Sequence, residues 1–191
     1  MKRWMGTILL LVLLQGWGTL AEPASAAEKS DKKKKEVYAA MAVGGRAGGS
    51  TLGLTLYIND YTTDEEAKGL AQTLKTGGPD ALLKQVEKLN KGRLAVVGRT
   101  GNTVGIIRSR PAGKKRRIIM VTDRPLAFME LHQGTRSSDY RFGVIELLLD
   151  EKGKGEGVAL LAAKIKFTGG NNIEIEHFGI DPVRLVNVYK F

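Results

Sequence analysis

The run Thr51-Leu52-Gly53-Leu54-Thr55-Leu56-Tyr57-Ile58 spaces Leu52, Leu54, Leu56 and Ile58 two residues apart. Successive side chains of a strand point to opposite faces, so this spacing gathers all four on one apolar face of a pleated strand. Upstream, Val37–Val43 reads as a strand, separated from this run by the loop Gly44-Gly45-Arg46-Ala47-Gly48-Gly49. Downstream, Leu94–Gly98, Val104–Arg108, Ile118–Thr122, Ala127–His132, Phe142–Leu149, Val158–Phe167, Ile173–Phe178 and Val183–Tyr189 read as strands. Ile118–Thr122 is apolar on both faces, which predicts a strand covered twice. Gly169-Gly170-Asn171 suits a hairpin turn between two of these runs.

One stretch changes period. Thr62-Thr63-Asp64-Glu65-Glu66 contains two overlapping capping boxes, Thr62 with Glu65 and Thr63 with Glu66. Ala67, Leu70, Ala71 and Leu74 follow at helical spacing, and Gly77-Gly78 stops the turn. Pro79 and Asp80 suit the start of a second helix with Leu82, Leu83, Val86 and Leu89 on its apolar side. Lys88 and Lys91 fit its end, and Gly92 its stop. The expectation is two helices near 63–76 and 79–90. The whole predicts a mainly β chain: an antiparallel, barrel-like meander of about nine strands with a two-helix insertion packed at one end. The alternative is a two-layer α+β sheet.

The 191 residues carry 30 Lys and Arg against 20 Asp and Glu, a net charge of +10, with no Cys. Lacking Cys, the chain has no disulfide, no thiolate metal site, no Cys nucleophile and no lipid-bearing Cys. Met1-Lys2-Arg3, an apolar run from Thr7 to Leu14, and Ala24-Ser25-Ala26 have the three-part layout of a secretory signal peptide over residues 1–26. The apolar run is shorter than the roughly 20 residues a membrane helix needs. Cleavage after Ala26 removes Lys2, Arg3 and Glu22, lowering the charge to +9, and removes both tryptophans, Trp4 and Trp17. Residues 27–36, ending EKSDKKKKE, read as a charged, flexible linker, and 37–191 as one β-rich domain. The expected location is periplasmic or secreted.

From Tyr61 onward the chain resembles a group of uncharacterised bacterial exported proteins. The segments that carry this are Tyr61–Glu66, Val121-Thr122-Asp123-Arg124-Pro125, Phe142–Leu147 and Asp150–Gly157. The resemblance implies that 37–191 is one unit. It implies no activity and no site residue.

Chemistry-bearing patterns are few. Ser30-x-x-Lys33 lacks the partner motifs of penicillin-binding enzymes. The Gly44–Gly49 loop lacks the Gly-Lys-Ser/Thr ending and the following helix that a phosphate loop needs. Ser137-Ser138-Asp139 reads as a polar turn. Glu130 and His132 share a strand face, and Glu174 and Glu176 share another with His177 opposite. Two distant histidines fall short of a zinc set, so neither metal nor cofactor is expected. The densest basic cluster is Lys114-Lys115-Arg116-Arg117, suited to anionic lipid or another anionic envelope component. It lacks the interleaved aromatics of nucleic-acid binders, so nucleic acid is not an expected partner.

Two functions remain on these grounds. The favoured one is a non-enzymatic envelope protein binding an apolar or amphipathic anionic ligand, or a partner surface. The alternative is an exported, hydrolase-like enzyme using Glu130, His132, Asp139 or Glu146. An interior pocket lined by apolar side chains would favour the first, and convergence of those polar groups the second.

Overall fold

The computed structural model describes residues 35–44, 51–97, 101–126, 139–168, 172–178 and 182–191. The alternating segments form strands close to their expected bounds: β1 (Glu36–Val43), β2 (Thr51–Ile58), β3 (Gly92–Val96), β4 (Asn102–Ala112), β5 (Lys115–Thr122), β6 (Phe142–Leu149), β7 (Gly155–Thr168), β8 (Asn172–His177) and β9 (Val183–Lys190). All neighbouring pairs are antiparallel, in the order β1-β2-β3-β4-β5-β6-β7-β9 and back to β1. Eight strands therefore close into a barrel, and β8 is an extra strand on the far half of β7. The expected strand over 127–132 lies outside the described residues, as does the turn 169–171, although Thr168 faces Asn172 as a hairpin there requires.

Leu54, Leu56 and Ile58 point inward with almost no exposure, joined by Tyr38, Leu94, Ile107, Ile118, Ile145, Leu147 and Leu185. Eight strands leave an interior just wide enough for side chains to fill, and here it is filled by one continuous apolar cluster.

Three bulges set which side chains face in; on β4 the extra residue is Gly105, so Val104 and Ile107 both face in. Between Phe142 and Val144 of β6, β7 carries one extra residue: Val144 faces Leu160, whereas Phe142 faces Ala163. Leu161 thus points inward, and Ala163 and Ile165 outward. On β9 the extra residue is Asn187, at φ 51°, so Leu185 and Val188 both face in.

The two expected helices form one kinked element, α1 (Asp64–Val86). Gly78 breaks it at φ 73°, ψ −171°, a conformation open essentially to glycine alone, and Pro79 follows. The element stops at Val86, not near 90, because Lys91 and Gly92 are drawn into the barrel. Of the two capping boxes only Thr63–Glu66 forms. The Thr62 hydroxyl instead accepts the Ile107 N–H at 3.0 Å and is buried.

α1 does not sit at an end of the barrel as expected. Leu70, Leu74, Leu82, Leu83 and Val86 pack on the outer wall against Val121, Phe142, Val144, Ala163 and Ile165. Ile173 and Ile175 of β8 cover the same cluster. This explains the two-sided apolarity of β5: Ile118 and Met120 face the interior, Ile119 and Val121 face α1. At the C-terminal end of α1, Gly105 lets the chains meet; a Cβ there would lie 2.6 Å from the Val86 carbonyl oxygen.

Candidate functional site

The barrel end where β1 starts is closed by charge. Inward alternation runs back from Ala42, Ala40 and Tyr38 to Glu36, which is buried. Sequence analysis placed Glu36 in the linker; it begins β1. The same alternation turns Arg116 of β5 and Lys190 of β9 inward. Lys190 Nζ donates to Glu36 Oε1 at 2.6 Å, and Arg116 Nη1 to the same oxygen at 3.2 Å. Glu36 Oε2 accepts from the Tyr38 hydroxyl at 3.2 Å and from the Tyr61 hydroxyl, and lies 3.2 Å from Arg116 Nη2. Arg116 is held further by Ser109 Oγ at 2.8 Å and by the Tyr61 oxygen at 2.5 Å. Its guanidinium lies over the Tyr61 ring, 5.2 Å from the centroid.

Burial by itself would raise the Glu36 carboxyl. Hydrogen bonds from Lys190, Tyr61 and Arg116 outweigh it and bring the group down to about 2. Burial, then the Glu36 charge, pushes the Tyr38 phenol up to about 12. Burial and the hydrogen bond to Glu36 push Tyr61 higher in the same direction. Near neutral pH the carboxylate is therefore fixed as an anion and both phenols as neutral donors.

Above this plug lies a cleft of about 410 Å³, between the β4–β5 turn and the β6–β7 turn. Six cations line it: Arg110, Lys114, Lys115, Arg116, Lys152 and Lys190. Arg116 and Lys190 are held by Glu36, and Arg110 reaches Asp64 at 3.3 Å. Lys114, Lys115 and Lys152 have no ion pair among the described residues. Of the two lining acids, Asp150 is occupied by its own turn, accepting the N–H groups of Lys152 and Lys154 at 2.9 Å each. The basic run 114–117 is thus split by strand period. Lys114, Lys115 and Arg116 line the cleft, whereas Arg117 faces outward, its Nε 3.0 Å from Glu146 Oε1 on β6.

Of the fallback polar residues, Asp139 and Glu146 are described and each meets a cation. Glu146 pairs with Arg117, and Asp139 lies 3.8 Å from Lys164. Glu130 and His132 lie outside the described residues. Lys166 sits between Glu174, at 3.4 Å, and Glu176. His177 ends β8, its Nδ1 buried with no hydrogen-bond partner among the described residues. Among the described residues no three acidic or imidazole groups converge as a metal-ligand set, and no helix is long and apolar enough to cross a membrane.

Sequence reasoning missed Glu36, Tyr38, Tyr61 and Lys190. One signal was present: Glu36 falls on the inward phase of Tyr38, Ala40 and Ala42, and a carboxylate on an inward phase needs a paired cation. Comparison with protein-family models, with curated proteins and with solved structures finds no match.

Proposed function

We propose that the chain is an exported, non-enzymatic envelope protein that binds an anionic group, such as a phosphate or carboxylate, in the basic cleft. The observation that carries this is the cleft lined by Lys114, Lys115 and Lys152, none of which has an ion pair among the described residues. Low-dielectric walls focus the field of like charges and raise the local concentration of anions. Export is supported by the leader layout of residues 1–26. The polar groups beneath the cleft favour binding over catalysis. Glu36 takes up a proton only near pH 2 and Tyr38 releases one only near pH 12, so neither is poised for proton transfer near neutrality. The apolar side chains that occupy the described interior support the charged mouth, rather than the inside, as the ligand's place in this reading.

Amide NMR titration with inorganic phosphate and with a short-chain alkyl phosphate tests the reading. Shifts are expected at residues 110–116 and 150–153. Replacing Lys114, Lys115 and Lys152 together by Glu should abolish them, and added salt should weaken binding. Unmoved amides around the cleft, or shifts confined elsewhere, refute it.

A further inference from the structure

A second surface at the same barrel end joins no core. Alternation on β1 turns Val37, Ala39 and Met41 outward, the first two half-buried and Met41 exposed. Val37 faces Tyr57 across β2, and its carbonyl accepts the Phe191 N–H at 2.9 Å on the other side. Ala39 faces Tyr189. Tyr57, Tyr189 and Phe191 therefore flank the start of β1 on the outer wall, 40%, 43% and 71% exposed. The Tyr189 and Phe191 rings meet edge to face at 5.1 Å. α1 packs on a different wall, so among the described residues nothing covers this patch. No outward position of β1, β2, β3 or β9 holds an acidic side chain. Arg93 faces Tyr57 and has no ion pair among the described residues.

We propose that the aromatic patch and the cleft together dock the protein on an anionic lipid bilayer. Tyr57, Tyr189 and Phe191 enter the headgroup layer while Lys114, Lys115 and Lys152 face lipid phosphates. This rests on the cleft's reading as an anion site and names the source of the anion. Aromatic rings beside cations suit the interface between headgroups and acyl chains, where one end of the ring is apolar and the other wet. A second copy fits less well: it would bring a second strongly basic chain, +9 without residues 1–26, and a second Arg93 against the first. The outer wall of a barrel is convex, and a headgroup layer deforms around it where a protein partner would need a matching concave face.

The chain has no Cys, so Phe191→Cys accepts one environment-sensitive fluorophore, and Lys84→Cys on exposed helix surface serves as control. Placing the label at 191 makes the readout local, because the apolar run and lysines of residues 1–34 give the full chain a lipid affinity of their own. Vesicles of phosphatidylglycerol mixed equally with phosphatidylcholine should shift the 191 label to the blue and leave the control unchanged. Lys114→Gln, Lys115→Gln and Lys152→Gln should each raise the vesicle concentration needed about fivefold. Tyr57→Ser combined with Tyr189→Ser should raise it about tenfold. No shift at 191, an equal shift with pure phosphatidylcholine, or a shift produced by protein concentration without lipid overturns the docking. If inorganic phosphate still moves the cleft amides in that case, the anion site stands alone. A lipid-induced shift indifferent to the three lysines overturns the cleft's part in docking, and the phosphate titration alone then decides the anion reading.

Discussion

Glu36 shows how one side chain organises a barrel end. Its oxygens take hydrogen bonds from Lys190, Tyr61, Tyr38 and Arg116, so each partner is committed through the same carboxylate. Its folded value, about 2, lies below the ordinary 4.5. A depressed carboxyl contributes stability that is fully present above the unfolded value and is lost as pH falls through the folded one. The shift corresponds to about 3 kcal/mol, reduced toward about 2 because Arg116 and Lys190 keep part of their solvent. Glu36→Gln should therefore cost about 2–3 kcal/mol at neutral pH. It should also flatten the fall in stability between roughly pH 4.5 and 2, measured by urea unfolding at a series of pH values. A variant with the wild-type acid profile would remove Glu36 from this role.

At the scale of elements, α1 is held by its stripe, its cap and its kink. Leu70 and Leu82 are 7% and 3% exposed against the outer wall, so Leu70→Ala and Leu82→Ala should each cost about 2–5 kcal/mol. Thr63→Ala removes the one capping box formed and should cost about 1 kcal/mol. Gly78 has open space where a Cβ would point, so Gly78→Ala reports backbone strain alone, about 1–3 kcal/mol. The start of α1 is tied down separately. Lys91 bridges Asp60 at 3.1 Å and Glu66 at 2.8 Å, and Arg108 donates to the Thr62 carbonyl at 2.6 Å and pairs with Asp64. These ties and the shared cluster predict that α1 unfolds together with the barrel. All four variants should shift one unfolding transition, seen at the same midpoint by far-UV circular dichroism and by tyrosine fluorescence. Separate midpoints would make α1 its own unit.

For the whole molecule, closure and charge act together. The β9–β1 pairing, from Tyr38 opposite Lys190 to Val43 opposite Arg184, shuts the barrel and gives each of its eight strands a neighbour on both sides. It also brings Lys190 to Glu36, residues 154 positions apart, so barrel closure and the polar plug form or fail as one. The proposed export has its own readout. Envelope-fraction protein should begin at or within a residue or two of Ala27 and, lacking Trp4 and Trp17, should emit only tyrosine fluorescence. Tryptophan emission from that fraction would show that the leader is retained.

The sequence made the strands legible, since period-2 spacing is a local property: β2 and β6 fall on the bounds read from Thr51–Ile58 and Phe142–Leu149. It made the helical stripe legible too, but left two overlapping capping boxes, of which the burial of Thr62 against Ile107 selects Thr63–Glu66. It left the bulges at Asn187 and in β7 unread, because an extra residue shows only against a partner strand. The site divided the same way. Lys114, Lys115 and Arg116 were legible as a basic cluster, but the outward turn of Arg117 toward Glu146 follows from the register of β5 on β6. The gathering of Glu36, Tyr38, Tyr61, Arg116 and Lys190 was decided by tertiary structure alone. No local spacing encodes it: closing the sheet brings both ends of the folded chain to one rim, and there a buried carboxylate is stable only with those partners around it.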